Sequence, residues 1–315
     1  MATLEQAIVS TLSWFDILGQ PLTAFECWYY LWDEDGSGGE ATPQDVWRAL
    51  DQLKARGAVV VERGFWQLTA TRSYVPERLA RARWSIKKFR RAQAAARLLA
   101  RVPFVRLVAS VNTLAMEGAR QESDIDLFIV VRAGRLYLTR LFVTAVVHLL
   151  GRRRHGQRVT DRLCLSFYVS DDQLNLKPLA YVDDPYLSFW LVSMLPLTGL
   201  ATFNRFLAAN SWVEHSLPHR LAVGAAPDLA PTTSWCARAA EWLLGGAVGT
   251  WLEAVARWGQ VRRIKKHSAS RLGDGTTAVV VTDSVLKFHE TDQRPVLAGR
   301  FRARQHQALA SLNSA

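Results

Sequence analysis

The stretch VRLVASVNTLAMEGARQESDIDLFIVV, residues 105–131, decides how the rest of the chain is read. Residues 105–111 are short, β-branched and bounded by Pro103 and Asn112, which is the composition of a strand. Asn112 and Thr113 then cap a short helix through Ala119, and Glu122-Ser123 leads into a second strand. That strand begins polar at Asp124-Ile125-Asp126, turns wholly apolar through Val131 and stops before Gly134. Side chains alternate across a strand, so Asp124 and Asp126 share one face while Ile125 enters the core. Two like charges this close are costly unless a cation neutralises them, and hard oxygen ligands select Mg²⁺ or Mn²⁺. The helix start at Asn112 and Thr113 offers free backbone N–H groups to a phosphate. The bland alternative is a polar strand entry that faces solvent.

This arrangement resembles the signature of the DNA polymerase β-type nucleotidyltransferase superfamily, which includes the minimal nucleotidyltransferases. Its members carry a Gly-Ser at the start of a short helix and an Asp-x-Asp on the next strand. Asn112-Thr113 stands at the Gly-Ser position, and Asp124 and Asp126 stand at the aspartate pair. Asn112 is a departure, because glycine lets the backbone approach a phosphate more closely, although asparagine tolerates left-handed geometry. The resemblance implies metal-dependent transfer of a nucleoside monophosphate from a nucleoside triphosphate to an acceptor hydroxyl. It implies Asp124 and Asp126 as ligands of Mg²⁺ or Mn²⁺, with Asn112, Thr113 and Ser123 beside the triphosphate.

It also implies a third carboxylate from a neighbouring strand. After Asp126 the chain offers a helix (136–150), a basic loop (Arg152, Arg153, Arg154, His155) and a strand (163–169). Asp161 is the choice, because it lies at the strand's entry in phase with Leu163 and Leu165; Asp171 and Asp172 follow the strand. The rival reading is a chain that kept the fold and lost catalysis, serving as a nucleic-acid-binding or complex-forming subunit.

Upstream, Thr3 with Gln6 and Thr23 with Glu26 form capping boxes, and Thr42 caps a third helix that has Pro43 at its first position. An acidic, glycine-rich loop (33–40) precedes that third helix. Residues 58–61 and 65–68 around Arg63-Gly64 read as a hairpin. Three helices and a hairpin in this order resemble a winged helix-turn-helix over residues 1–75. Its third helix would offer Gln44, Arg48, Gln52, Lys54 and Arg56 to DNA. Residues 76–103 form a basic linker helix carrying Arg78, Arg81, Arg83, Lys87, Lys88, Arg90, Arg91 and Arg97. Its basic face is either solvated or tracks a polyphosphate backbone.

The predicted class is therefore mixed α/β: winged helix, linker helix, nucleotidyltransferase core over residues 104–183, and a mainly helical region over 184–315. In that last region, 184–210 reads as one or two helices broken near Pro196 and Gly199, and 224–233 reads as a loop. Residues 235–260 read as one long helix, followed by the basic run Arg262, Arg263, Lys265, Lys266 and His267. A small hairpin (278–281 with 285–289) and a closing basic helix (295–307) finish the chain. His289, Glu290 and Asp292 are set aside as a metal cluster for want of a second histidine or cysteine nearby.

Composition excludes some classes. A 49% hydrophobic and 21% charged chain is neither disordered nor fibrous. The net charge of +11 favours anionic partners: nucleotides, nucleic acid or acidic lipid. Three scattered cysteines and the lack of a basic segment ahead of an apolar run fit a cytoplasmic chain without disulfides. Residues 136–150 are too short to span a bilayer, and charges interrupt residues 235–258, so neither reads as a transmembrane segment. Both read as core helices, with two alternatives for the second: a surface-lying amphipathic helix, or a Trp-rich interface for a protein partner.

Overall fold

A computed structural model describes residues 3–34, 39–69, 72–154, 156, 158–219, 235–268, 277–288 and 292–314. The whole loop expected at 224–233, part of the loop at 33–40, and His155, His289 and Glu290 lie outside these residues.

Thr3, Thr23 and Thr42 each close a reciprocal capping box at the start of α1 (Leu4–Ile17), α2 (Ala24–Tyr29) and α3 (Pro43–Ala55). Strands β1 (Val59–Glu62) and β2 (Phe65–Leu68) pair antiparallel around Arg63 and Gly64, whose φ values of 51° and 83° suit a two-residue hairpin turn. The long α4 (Val75–Leu99) leads to β3 (Val105–Ser110), the single turn α5 (Asn112–Ala115), β4 (Ile125–Val131), α6 (Leu136–Leu149) and β5 (Leu163–Ser170). Next come α7 (Pro185–Ser193), β6 (Leu195–Thr198), α8 (Leu200–Ala209), α9 (Trp235–Leu243) and α10 (Ala247–Ser268). The hairpin β7 (Val279–Val281) and β8 (Val285–Phe288) and the helix α11 (Arg294–Ser314) complete the chain.

The molecule is mixed α/β, with the β1–β2 pair and a six-stranded sheet in the order β6-β3-β4-β5-β8-β7. Only β4 and β5 run parallel, joined across one face by α6; every other pair is antiparallel. Leu107, Ala109, Phe128, Val130, Phe167 and Val169 face a core shared with α7 and α8. Val108, Ile125, Leu127, Ile129 and Tyr168 face a second core under α4 and α6. This alternation on β4 is the one that the sequence predicts.

The last third departs from expectation. Residues 195–198 are a strand, not a helix break: Pro196 lacks a donor, and an edge strand is where a sheet tolerates that. The next residue, Gly199, has φ of 75°, and a Cβ there would lie 2.0 Å from the Arg106 carbonyl oxygen, so only glycine lets the chain turn so close to β3. The β7–β8 hairpin extends the sheet through β5. Strands from residues 195–288 thus supply half of a sheet expected from 104–183 alone.

Nor do the expected units keep separate cores. Trp14 of α1 stacks on Phe189 of α7 at 4.9 Å and meets Phe301 of α11 edge-on at 5.5 Å. One apolar core therefore runs from α1 through α7 and α8 to α11.

The basic residues of α4 divide between two sides: Arg83, Lys87, Arg90 and Arg97 are exposed, whereas others turn inward. Arg78 is buried against Glu26 and the Met116 carbonyl, Arg81 donates to the Gly19 carbonyl, and Lys88 is fully buried. The helix expected at 235–260 is two helices bent at Gly245-Gly246, and its tryptophans are exposed rather than in the core. Among the described residues no helix is long and apolar enough to cross a membrane.

Candidate functional site

The end of the sheet where the central strands β4 and β5 begin gathers the chemistry. Asp126 lies in β4 and Asp124 immediately before it, and the parallel register sets Asp126 beside Cys164. Asp124, Asp126 and Cys164 each bring one ligand atom within 4.8 Å of the others, a spacing that a single metal ion can bridge. Among the described residues no other cluster of three such groups has this spacing.

Burial, and after it the neighbouring Asp124, pushes the Asp126 carboxyl up from 3.8 to about 6; a hydrogen bond from the Asn112 amide works the other way. Burial, with Asp126 next, pushes the Cys164 thiol up to about 12, so at neutral pH it is a protonated group that contacts Ser166 Oγ at 3.5 Å. Two carboxylates therefore supply hard ligands for Mg²⁺ or Mn²⁺, while the thiol would join only a softer ion.

Cations surround the pair. Arg154 donates to Asp124 Oδ2 at 2.7 Å and reaches Cys164 Sγ at 3.7 Å. Arg140 and Arg153 line the same open cavity, of about 640 Å³, together with Asn112, Thr144 and Ser166. A cavity with acids at its floor and arginines in its wall suits a ligand that is itself anionic and arrives with a cation.

Asn112 occupies its expected place beside the pair. Its φ of 59° is left-handed, a geometry that asparagine tolerates. Its Oδ1 accepts from Trp190 Nε1 at 2.9 Å and Tyr186 Oη at 3.1 Å, which turns the amide nitrogen toward Asp126. The α5 helix after it has four residues rather than the eight expected from 112–119, so it lends little dipole to a phosphate. Thr113 is exposed on this turn. Ser123 directs its hydroxyl back to the Arg120 carbonyl at 2.9 Å, within its own turn.

Asp161 is not the third acid of this cluster. Its carboxylate is bonded to Lys88 Nζ at 2.8 Å and to Arg91, both on α4. Burial opposes its ionisation, but the hydrogen bonds from Arg91 and Lys88 outweigh it and hold the carboxyl below its ordinary range. The phase assumed for β5 explains the difference. Leu163 pairs with Ile125 and Cys164 with Asp126, so the residue that meets the aspartates is even-numbered. Asp171 lies at the far end of β5, where its side chain accepts from the Ala133 N–H.

Lys88 is the residue that sequence reasoning missed. Besides Asp161 it donates to the carbonyls of Gln121 at 3.0 Å and Ser123 at 2.8 Å, so one buried ammonium fixes the segment that delivers Asp124. Its only sequence signal is a lysine in phase with Ser85, Ala92 and Ala95 on the inward side of a basic helix.

On α3, Gln44, Arg48, Gln52, Lys54 and Arg56 are exposed, as expected, but Arg48 pairs with Asp45 and Arg56 with Glu5. Comparison with protein families, with curated proteins and with solved structures finds no match.

Proposed function

We propose that this chain is a metal-dependent nucleotidyltransferase, moving a nucleoside monophosphate from a nucleoside triphosphate to an acceptor hydroxyl. The observation that carries the reading is the Asp124–Asp126 pair on the floor of an arginine-walled cavity. Asp124 and Asp126 would hold Mg²⁺ or Mn²⁺, which when bound would neutralise the pair and polarise the phosphates. Arg140, Arg153 and Arg154 take the phosphate oxygens, with Arg154 exchanging its bond to Asp124 for one to the ligand. Thr113 and Ser123, expected beside the triphosphate, are not among the residues that line this cavity.

The acceptor oxygen attacks the α-phosphorus, the bond from that phosphorus to the bridging oxygen breaks, and pyrophosphate leaves with the electron pair. The hydroxyl proton passes to solvent water, to which the cavity is open. Asp161, held by Lys88 and Arg91, has no part in this step.

One observation favours a second reading, in which the site binds the nucleotide without turning it over and the chain works as a nucleic-acid-binding or complex-forming subunit. Cys164 stands in the register position next to Asp126 where a third carboxylate would complete a metal site.

Thermal unfolding with each nucleoside triphosphate, with and without Mg²⁺, tests both readings. A ligand at a hundredfold its Kd adds about 2.7 kcal/mol to the native state. A Mg²⁺-dependent rise in Tm that vanishes in Asp124→Asn/Asp126→Asn is the expected result. No rise with any triphosphate sinks both forms of the nucleotide reading. A rise without pyrophosphate release, whatever acceptor hydroxyl is offered, leaves binding alone.

A further inference from the structure

Helices α9 and α10 turn both of their carboxylates toward the body of the protein. Glu241 accepts two bonds from Arg106, at 2.8 and 2.9 Å, and the Phe104 N–H at 2.6 Å. Glu253 accepts the Tyr137 and Leu138 N–H groups at 2.8 Å each, at the open start of α6. Arg135 fixes the bend between the two helices through the Leu244 and Gly245 carbonyls, and Ile264 is buried beneath α10. The inner side is a built interface, and the outer side carries no acid.

On the outer side Trp235, Trp242, Trp251 and Trp258 are 80%, 82%, 65% and 66% exposed. Val248, Trp251, Val255 and Trp258 follow one another at helical spacing as a single stripe along α10, and the same spacing continues into Arg262 and Lys265. The Arg262 guanidinium lies 5.6 Å from the Trp258 ring, where apolar stripe and cationic end meet.

We infer that the outer face of α9 and α10 docks on an anionic lipid bilayer, lying in the plane of its interface. Indole rings have an apolar body and a wet N–H, which suits the headgroup boundary, while Arg262 and Lys265 meet acidic headgroups. The absence of any acid on this face and the chain's net charge of +11 complement such a surface. Val248 and Val255 gain nothing from stacking on bases, and the convex stripe is not a groove that tracks a strand. A second copy of the chain would offer no acid from this face to Arg262 or Lys265. The surface does not depend on the nucleotide reading.

Vesicle co-sedimentation of the full chain provides the test. Vesicles of phosphatidylcholine with about one-third phosphatidylglycerol should carry the protein down, and phosphatidylcholine alone should do so much less. Trp251→Ser/Trp258→Ser should lower the partition coefficient at least about tenfold, and Arg262→Glu/Lys265→Glu should remove its salt dependence. These side chains are exposed, so the thermal midpoint of each variant should match that of the wild type. Quenching of wild-type tryptophan emission by lipids brominated along the acyl chain gives the same answer without a variant. Failure to bind anionic vesicles overturns the inference, as does binding undiminished by loss of the two tryptophans. So does a dimer in lipid-free solution that the same variant dissociates, or capture of an oligothymidylate by these tryptophans in place of vesicles.

Discussion

Asp161 and Asp126 sit on the two sides of one short junction, and their surroundings have opposite signs. Asp161 meets Lys88 and Arg91, so its negative charge is wanted by the fold. Asp126 meets Asp124 and a buried thiol, with a neutral amide as donor, so its charge is opposed by burial and by its neighbour. The first carboxylate is satisfied from within the chain. The second is left for something from outside, and that contrast separates a structural acid from a candidate ligand better than sequence position does.

The largest effect should come from cutting the structural side. Lys88 is fully buried and serves three oxygens, so Lys88→Met leaves Asp161 without its inner partner and frees the segment before Asp124. Leaving the buried carbonyls without their donor costs about 1–3 kcal/mol each, read as a lowered denaturant midpoint. A loss below about 1 kcal/mol would mean that Asp161 is not anchored there and is free to join the site.

That Lys88 matters could not be read from the chain, because a run of arginines and lysines looks the same whether it faces water or carbonyl groups. Legible features were those set by local chemistry: the capping threonines, the Arg63-Gly64 turn, the alternation along β4 and the left-handed Asn112. Features set by distant pairing were hidden. Pro196 and Gly199 look like helix breakers until β3 is known to lie alongside, and the β7–β8 hairpin has no mark saying that it joins β5. Cys164 was hidden by a one-residue error of phase, which in a strand exchanges one face for the other. The exposed tryptophans of α9 and α10 read as core in the sequence because composition reports how apolar a segment is, not which neighbour covers it.

The two acids should also pull stability in opposite directions with pH. Asp126 has a folded-state value of about 6, above its ordinary 3.8, so between these pH values the native state holds a proton that the unfolded chain has released. The stability it lends is complete below pH 3.8 and is lost as pH rises through 6. Asp126→Asn removes that loss and should stabilise the metal-free protein by about 3 kcal/mol at pH 7, with no gain at pH 3.5. Asp161, held below its ordinary range, contributes stability that is present above that range and disappears as pH falls through its folded-state value. Asp161→Asn should therefore destabilise at pH 7, most of all because Lys88 is left buried without its counter-charge. Urea midpoints of both variants at the two pH values decide the matter. If both substitutions destabilise at pH 7, the contrast between the acids is lost.

The smallest effect isolates Asn112, which joins the two aromatic donors to the acid. Asn112→Gly keeps the backbone at φ of 59° without strain, so the turn itself should survive. What disappears is the amide. Trp190 Nε1 and Tyr186 Oη lose their shared acceptor, and Asp126 loses a donor that favours its charged form. A buried donor left without a partner costs about 1 kcal/mol or somewhat more. Without the amide the Asp126 carboxyl should titrate higher than in the wild type, which carbon-detected NMR of the side-chain carboxyl reads directly. An unchanged titration in Asn112→Gly, with the same modest loss of stability, would show that asparagine only ties Trp190 and Tyr186 to the turn and leaves the acid alone. A raised value would make Asn112 the residue that keeps Asp126 ionisable enough to meet a cation, a task that a glycine at this position cannot perform.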